Sequence, residues 1–314
     1  MREVTKSGVT YLTFPVLDAT GIVTHAFSTR MGGVSEGWYS TMNFSFTRGD
    51  NREHVLENYS RMAAALGVDR EKMVLTWQTH TTNIRVVSAD DLGKGVVKDR
   101  DYRDIDGLLT NMPGVTLVTF FADCVPLYFV DPKHHAIGLA HSGWRGTVNR
   151  MGEKMIHAMK QEYGTVPEDL ICCVGPSICS DCYEVGEDVA DNFRDAFSKE
   201  DCEHIVFPSK SGVIGKRQLD LWEANRRILM EAAIYSDKVA VDEETVRLRS
   251  HLEQMNNMLT TGGAIGRKLD FLLQEMNREA NTIGSKCTDV RLARIVVEIK
   301  AELEKIREQT QNIE

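Results

Sequence analysis

Three residues in this 314-residue chain carry side chains that borderline metals bind: His80 at the end of TWQTH, Cys124 in FADCVP and His141 in AHSGWRG. Each sits at or beside a short apolar stretch, where a strand delivers a side chain to the rim of a sheet. Two imidazoles and a thiolate are the number of ligands a catalytic zinc keeps while leaving a fourth position open, and His2Cys is equally a copper set. The same residues admit a second chemistry, a cysteine hydrolase. There Cys124 is the nucleophile, His141 or His80 its base, and backbone amides of the glycine-rich turn an oxyanion hole. A copper oxidase is a third reading, but multicopper chemistry needs many imidazoles, usually in His-x-His pairs. The nine histidines include only one adjacent pair, His134 and His135, in an expected turn. Residue types and spacing leave the three readings open.

Arg30 in FSTRMGGVS and Arg145 in HSGWRG lie in glycine-bearing loops, where a fixed guanidinium can meet a phosphate with two hydrogen bonds; a surface salt bridge is the alternative. GLAHSGWRG lacks the Gly-Lys-Ser/Thr of a P-loop. The seven cysteines are odd in number and unevenly spaced, unlike a disulfide framework. Cys179 and Cys182 form a C-x2-C pair, but no second pair completes a zinc ribbon, so these two, with Cys172 and Cys173, read as structural thiols.

Composition sets the outer limits. At 42% hydrophobic and 26% charged the chain can bury one large core or two smaller ones. A net charge of -9 argues against a broad nucleic-acid footprint. No apolar run approaches the roughly 20 residues of a membrane helix, and MREVTKSGVTYLTFPVL lacks a signal core. The expectation is a cytoplasmic protein.

The elements that must position these residues change character along the chain. Up to about residue 210, strands alternate with helices. Strands are expected across 115–130 (VTLVTFF, then LYFV after ADCVP), at AIGLAHS and at 170–174. Helices are expected over 53–66 and after GWRG, where Val148, Met151, Met155, Ile156 and Met159 share a face and Gly164 is the stop. From Leu219 onward the pattern is helical, with breaks at Gly262-Gly263 and near Gly284. Leu248, Leu252, Met255 and Leu259 make one stripe and Ile299, Leu303, Ile306 and Ile313 another, with Thr310 in the gap. These two stripes are expected to pair in a helical hairpin or small bundle, any uncovered remainder driving self-association as a homo-oligomer.

FSTRMGGVSEGWYSTMNF, GDNREHVLENYSR, TWQTH, DGLLTNMPGV, FADCVPLYFVDP, AHSGWRGTV and VGPSICSDCYEVGEDV, in this order, resemble the YfiH/YlmD purine nucleoside phosphorylase (laccase-domain) family over about residues 8–230. Its older labels are polyphenol oxidase and peptidoglycan editing factor. The resemblance implies an α+β fold, a mixed sheet sandwich flanked by helices, and zinc (copper as the alternative) held by His80, Cys124 and His141. It implies phosphorolysis of adenosine, inosine and methylthioadenosine, with adenosine deaminase activity as well. Candidate roles follow: catalysis by Cys124, His80, His141 and Asp123, the last shuttling protons, and substrate binding by Arg30, Arg145 and Gln78.

The family's usual last elements, including a segment like FSHR-x-x-G-x-x-GR, are missing. Residues 231–314 instead resemble the C-terminal helical part of the YicC endoribonuclease family, whose longer N-terminal part is absent. Two domains are therefore expected, 1–230 and 231–314, with purine nucleosides and phosphate as partners, no membrane, and nucleic acid only through the tail.

Overall fold

The computed structural model describes residues 1–239, 242–262, 265–286 and 290–311. The chain divides into two compact units, Met1–Ala232 and Ala233–Glu314, the division falling inside the helix Leu221–Val239.

The first unit is a mixed α and β structure with several sheets. Its centre is a five-stranded sheet in the spatial order Ile171–Val174, Val125–Asp131, Ala136–Ser142, Gly107–Thr110, Ile84–Val86, antiparallel except for the last pair. Val125–Asp131 is buried along its whole length, as its unbroken apolar run requires. The expected 115–130 stretch is thus two strands, Thr116–Val118 and Val125–Asp131, separated by a loop that carries Cys124. A smaller parallel pair, Met73–Leu75 with Thr116–Val118, leads into the segments bearing His80 and Cys124.

The helix Arg52–Leu66 starts on Asn51, whose side chain accepts from the Glu53 N–H, and ends on Gly67 at φ 73°. The helix after GWRG is split. Trp144–Val148 stops at Asn149, Arg150 adopts the left-handed conformation, and Met151–Tyr163 then runs to Gly164. Met151, Met155, Ile156 and Met159 are its buried face, as the periodicity predicts. They lie so close to the sheet that a Cβ on Gly138 would sit 2.7 Å from Met155 Cε. The core continues into Leu221, Ala224, Ile228 and Leu229.

The second unit is all-helical among its described residues: Asp242–Thr261, Gly266–Lys286 and Val290–Gln311. The two expected stripes do not pair directly. The middle helix supplies Leu269, Leu272, Leu273 and Met276, and against these pack Leu248 and Met255 from one side and Ile299, Leu303 and Ile306 from the other. Leu252 and Leu259, assigned to the first stripe, are 46% and 57% exposed. A middle helix apolar on two flanks covers both neighbours, so neither needs its whole stripe. Ion pairs follow the same plan, Arg247 with Glu279 and Arg307 with Asp270. Ile313 lies outside the described residues. Gly284 does not break a helix. It lies within Gly266–Lys286, where an added Cβ would come 3.1 Å from Val296, so it permits close packing rather than a turn. Among the described residues no helix is long and apolar enough to cross a membrane.

Candidate metal centre

The register of the central sheet brings two of the three candidate ligands together. His141, near the end of its strand, lies opposite Pro126, and Cys124 immediately precedes that neighbouring strand. Cys124 therefore stands immediately before the start of a buried strand. His80 arrives from the loop beyond Trp77, which bridges to Ile105. Its backbone is left-handed, φ 64°, a conformation that a non-glycine residue keeps only when its surroundings impose it.

Asp106 imposes it. This fully buried carboxylate accepts hydrogen bonds from the backbone N–H groups of Thr79 (3.1 Å), His80 (3.1 Å) and Thr81 (2.9 Å) and from the Thr81 hydroxyl (2.9 Å). It also meets His141 Nδ1 at 2.8 Å. Burial alone would push its carboxyl up. The hydrogen bonds from His141 and from the Thr81 and Thr79 backbone outweigh that and hold it below the usual carboxylate range. One side chain thus fixes the His80 loop and the His141 ring. With Nδ1 engaged by a carboxylate, His141 presents Nε2, the arrangement that orients metal-binding histidines elsewhere.

The ligand atoms of His80, Cys124 and His141 lie within 4.8 Å of one another, with Cys124 Sγ 3.9 Å from His80 Nε2. The two imidazoles cross at 76° with centroids 5.0 Å apart, and Phe121 packs 5.8 Å from His141. Zinc bonds of about 2.0–2.3 Å at tetrahedral angles separate ligand atoms by roughly 3.3–3.8 Å, about 1 Å less than the widest separation here. Exposure grades from His141, buried, through Cys124 to His80, exposed, which leaves one side open. Gly143 is part of the same geometry. A Cβ there would fall 2.8 Å from Cys124 Sγ and 2.9 Å from His80 Cδ2. Residues, spacing and the open side fit a three-ligand metal site.

The electrostatics speak against a thiolate nucleophile. Burial, with Asp123 and Asp106 adding to it, pushes the Cys124 thiol up to about 11. Burial lowers His80 as well, and His141 and Arg145 act in the same direction against Asp106. Without a metal the pair rests as thiol and neutral imidazole, the reverse of the thiolate and imidazolium of a cysteine hydrolase. Neutral imidazoles are ligand-competent, and a cation supplies the charge that a thiolate needs there.

The remaining candidates are placed as follows. Arg145 stacks its guanidinium on Trp144, 4.3 Å from the ring centroid, and its charge is felt at His80. Asp123 is exposed beside Cys124, its carbonyl accepting from Ile178 N–H at 2.9 Å. Gln78 is tied to the protein: its Oε1 accepts from Thr76 Oγ1 and Phe120 N–H, and its Nε2 donates to the Phe120 carbonyl. It pins the Cys124-side loop to the His80-side loop. Arg30 donates to the Ser40 carbonyl, closing its own loop. Cys172 and Cys173 lie on the strand Ile171–Val174, but Cys179 and Cys182 are exposed and are not packing thiols. Asp106 was not singled out from the sequence. Its one signal was its place at the head of DGLLT.

Residues 24–261 match the family described as multi-copper polyphenol oxidoreductase laccase, and residues 212–314 that described as endoribonuclease YicC-like, C-terminal. The purine nucleoside phosphorylase of Bacteroides thetaiotaomicron is 34% identical over 229 residues, 73% of this chain and 83% of that protein. A protein named adenosine deaminase RL5, from an unknown prokaryotic organism, is 33% identical over 71% of this chain and 84% of its own length. The crystal structure of YlmD from Geobacillus stearothermophilus superposes with a TM-score of 0.64 at 32% identity, covering 74% of this chain and 84% of that one. The tail is 58% identical to the probable endoribonuclease YicC of Clostridioides difficile over 88 residues, which is 28% of this chain and 30% of that protein.

Proposed function

The chain belongs to the family described as multi-copper polyphenol oxidoreductase laccase, and on that premise we propose that it is a zinc-dependent purine nucleoside phosphorylase, acting on adenosine, inosine and methylthioadenosine, with adenosine deaminase activity at the same site. The observation that carries this reading is the convergence of His80, Cys124 and His141 with Asp106 on His141 Nδ1, in a chain similar to enzymes of those names. Among the described residues this is the one group of three or more such ligands, too few for several coppers, which favours a single zinc over oxidase chemistry. A zinc ion held by these residues would supply Lewis-acid activation of water or of an oxyanion.

The protein groups divide the rest of the work. Asp106 holds the His80 backbone and the His141 ring in place, and Gly143 keeps the space between Cys124 and His80 free. Phosphorolysis passes through a cationic ribose, so an anion has to be held against C1′. Arg145, restrained on Trp144 next to the ligands, supports that role better than Arg30, whose guanidinium is turned to Ser40. Asp123, exposed one residue from Cys124, is the proton-transfer group for deamination at purine C6. The site faces solvent in the first unit, as access for small-molecule substrates requires. The tail is the part suited to oligomerisation or RNA.

Purified protein should hold one zinc per chain, release hypoxanthine from inosine only when phosphate is supplied, and convert part of an adenosine sample to inosine. Metal analysis and chromatography of the products check each outcome. Cys124→Ala should lose zinc and both activities while keeping its circular dichroism. A metal-free protein inactivated by alkylation of Cys124 would instead mean a cysteine hydrolase.

A further inference from the structure

The loop 175–183 carries a second thiol chemistry that the metal site does not use. Its C-x2-C pair is exposed, in contrast to Cys173 on the adjoining strand. The carbonyl of Cys179 accepts from the N–H groups of both Cys182 and Tyr183, each at 3.0 Å, so the four residues close a tight turn. Such a turn brings its first and last Cα atoms within about 7 Å. A disulfide needs roughly 4.4–6.8 Å. The two intervening carbonyls, of Ser180 and Asp181, accept from Nε2 of Gln218 at 2.9 and 2.8 Å, and that amide belongs to a side chain buried in the sheet beneath. The turn is therefore clamped at both intervening carbonyls, with its two exposed cysteines at its first and last positions.

Cys179 also lines a groove of about 520 Å3 whose walls include Phe14, Pro176, Ile178, Asp220 and Trp222. A thiol at the edge of a partly apolar groove, with a second thiol one turn away, is the arrangement that thiol–disulfide exchange needs. One sulfur is reachable by an external disulfide and the other is placed to resolve the product.

We propose that Cys179 and Cys182 form a reactive dithiol, modified by small-molecule disulfides of the glutathione type. The Cys179 thiolate attacks one sulfur of the external disulfide, making a mixed disulfide and releasing one small thiolate, which takes up a proton. The Cys182 thiolate then attacks Cys179 Sγ, closing the intramolecular disulfide and releasing the second small thiol. Two protein thiols are oxidised and one external disulfide is reduced to two thiols. The order of attack follows from position: Cys179 lines the groove and Cys182 is not among its walls, so an external disulfide meets Cys179 first. Asp181 between them is paired with Lys210, which removes part of its repulsion of a thiolate.

The turn is tethered to the metal-site loop through Ile178 N–H and the Asp123 carbonyl, one residue from Cys124. The proposed chemistry does not depend on nucleoside turnover, so it is read on the thiols themselves. The folded full-length chain is treated with oxidised glutathione, digested and mapped by mass spectrometry. The expected product is a peptide two hydrogens lighter, bridging Cys179 and Cys182, while Cys182→Ser accumulates a single glutathione on Cys179. In the reduced chain Cys179 should alkylate roughly tenfold faster than Cys202, which burial holds up. The proposal is overturned if no bridge forms, if Cys182→Ser carries no glutathione, or if Cys179 reacts no faster than Cys202. Both sites are exposed, so serine substitution leaves the fold intact, which circular dichroism verifies.

Discussion

The two units of this chain solve the same problem, covering apolar surface, by means that leave very different traces. In the second unit each helix packs on its sequence neighbour, and the stabilising cluster of Leu269, Leu272, Leu273, Met276 and Leu303 arises from local repeats. In the first, the site is assembled from positions 80, 106, 124, 141 and 143, brought together only by the register of a five-stranded sheet and one buried carboxylate. Apolar helix packing tolerates rearrangement of its stripes. A polar network around a carboxylate does not, because its donors converge on one acceptor whose loss leaves them without it together. Chemistry is concentrated where the second kind of order exists.

The largest effect should come from breaking that order at its centre. Asp106→Ala removes the acceptor for three backbone N–H groups, the Thr81 hydroxyl and His141 Nδ1. Loss of several kcal/mol is expected, since five hydrogen bonds to one buried carboxylate are lost together and a donor left unpaired away from water costs about 1–3 kcal/mol. Asp106→Asn keeps the shape and should retain more stability, yet metal affinity should fall about 10–100-fold. The four tryptophans, at 38, 77, 144 and 222, all lie in the first unit, so their fluorescence during urea unfolding reads that unit alone. If Asp106→Ala unfolds at the same urea concentration as the parent, the polar network is not what holds the first unit's site together.

A smaller effect, confined to acid, should separate the units again. Asp91 is fully buried; burial pushes its carboxyl up, but hydrogen bonds from Arg85, the Ser88 backbone and Lys94 more than compensate and hold it far below the ordinary range. A carboxylate depressed in the folded state contributes stability above its unfolded value of about 4, and that contribution is lost as pH falls through lower values. Tryptophan fluorescence should therefore report a urea midpoint that drops between about pH 5 and pH 3, and Asp91→Asn should flatten this dependence. A parent midpoint that does not move over that range would refute the assignment.

How much of this was legible in the sequence follows from the same contrast. The candidate ligands were readable because His and Cys announce their chemistry by type, and because the strands that frame them are apolar runs. Asp106 was not, since a carboxylate in DGLLT carries no mark of being fully buried beneath two loops. Gln78 shared a motif with His80, but nothing in TWQTH indicates that its amide is engaged by Thr76 and Phe120. In the tail the period was clear and the pairing was not. Helical spacing shows which residues share a face, and the middle helix's own face over 269–276 decides which faces meet. Exposure likewise set Cys179 and Cys182 apart from Cys173, a difference that the spacing of cysteines does not encode.

The smallest effect tests whether the second unit's uncovered face is idle. Leu252 repeats at helical spacing with Leu248 and Met255, yet those two pack on the middle helix while Leu252 is half exposed. Phe271, Ile295 and Val297 are exposed as well, at 64%, 49% and 66%. For a monomer, Leu252→Gln should change stability by no more than about 0.5 kcal/mol, the usual result at an exposed position. Leu273→Ala, in the centre of the cluster, should cost about 2–5 kcal/mol. Far-UV circular dichroism should lose part of the helical signal at lower urea in Leu273→Ala, with the tryptophan transition little changed. The two variants thus calibrate each other. If Leu252→Gln instead costs more than about 1 kcal/mol, and the cost grows with protein concentration, the face is covered in solution by a second copy, because only association makes stability depend on concentration. Light scattering then has to show the parent as an oligomer and the variant as a smaller species. A concentration-independent loss would mean that Leu252 is packed within the chain itself.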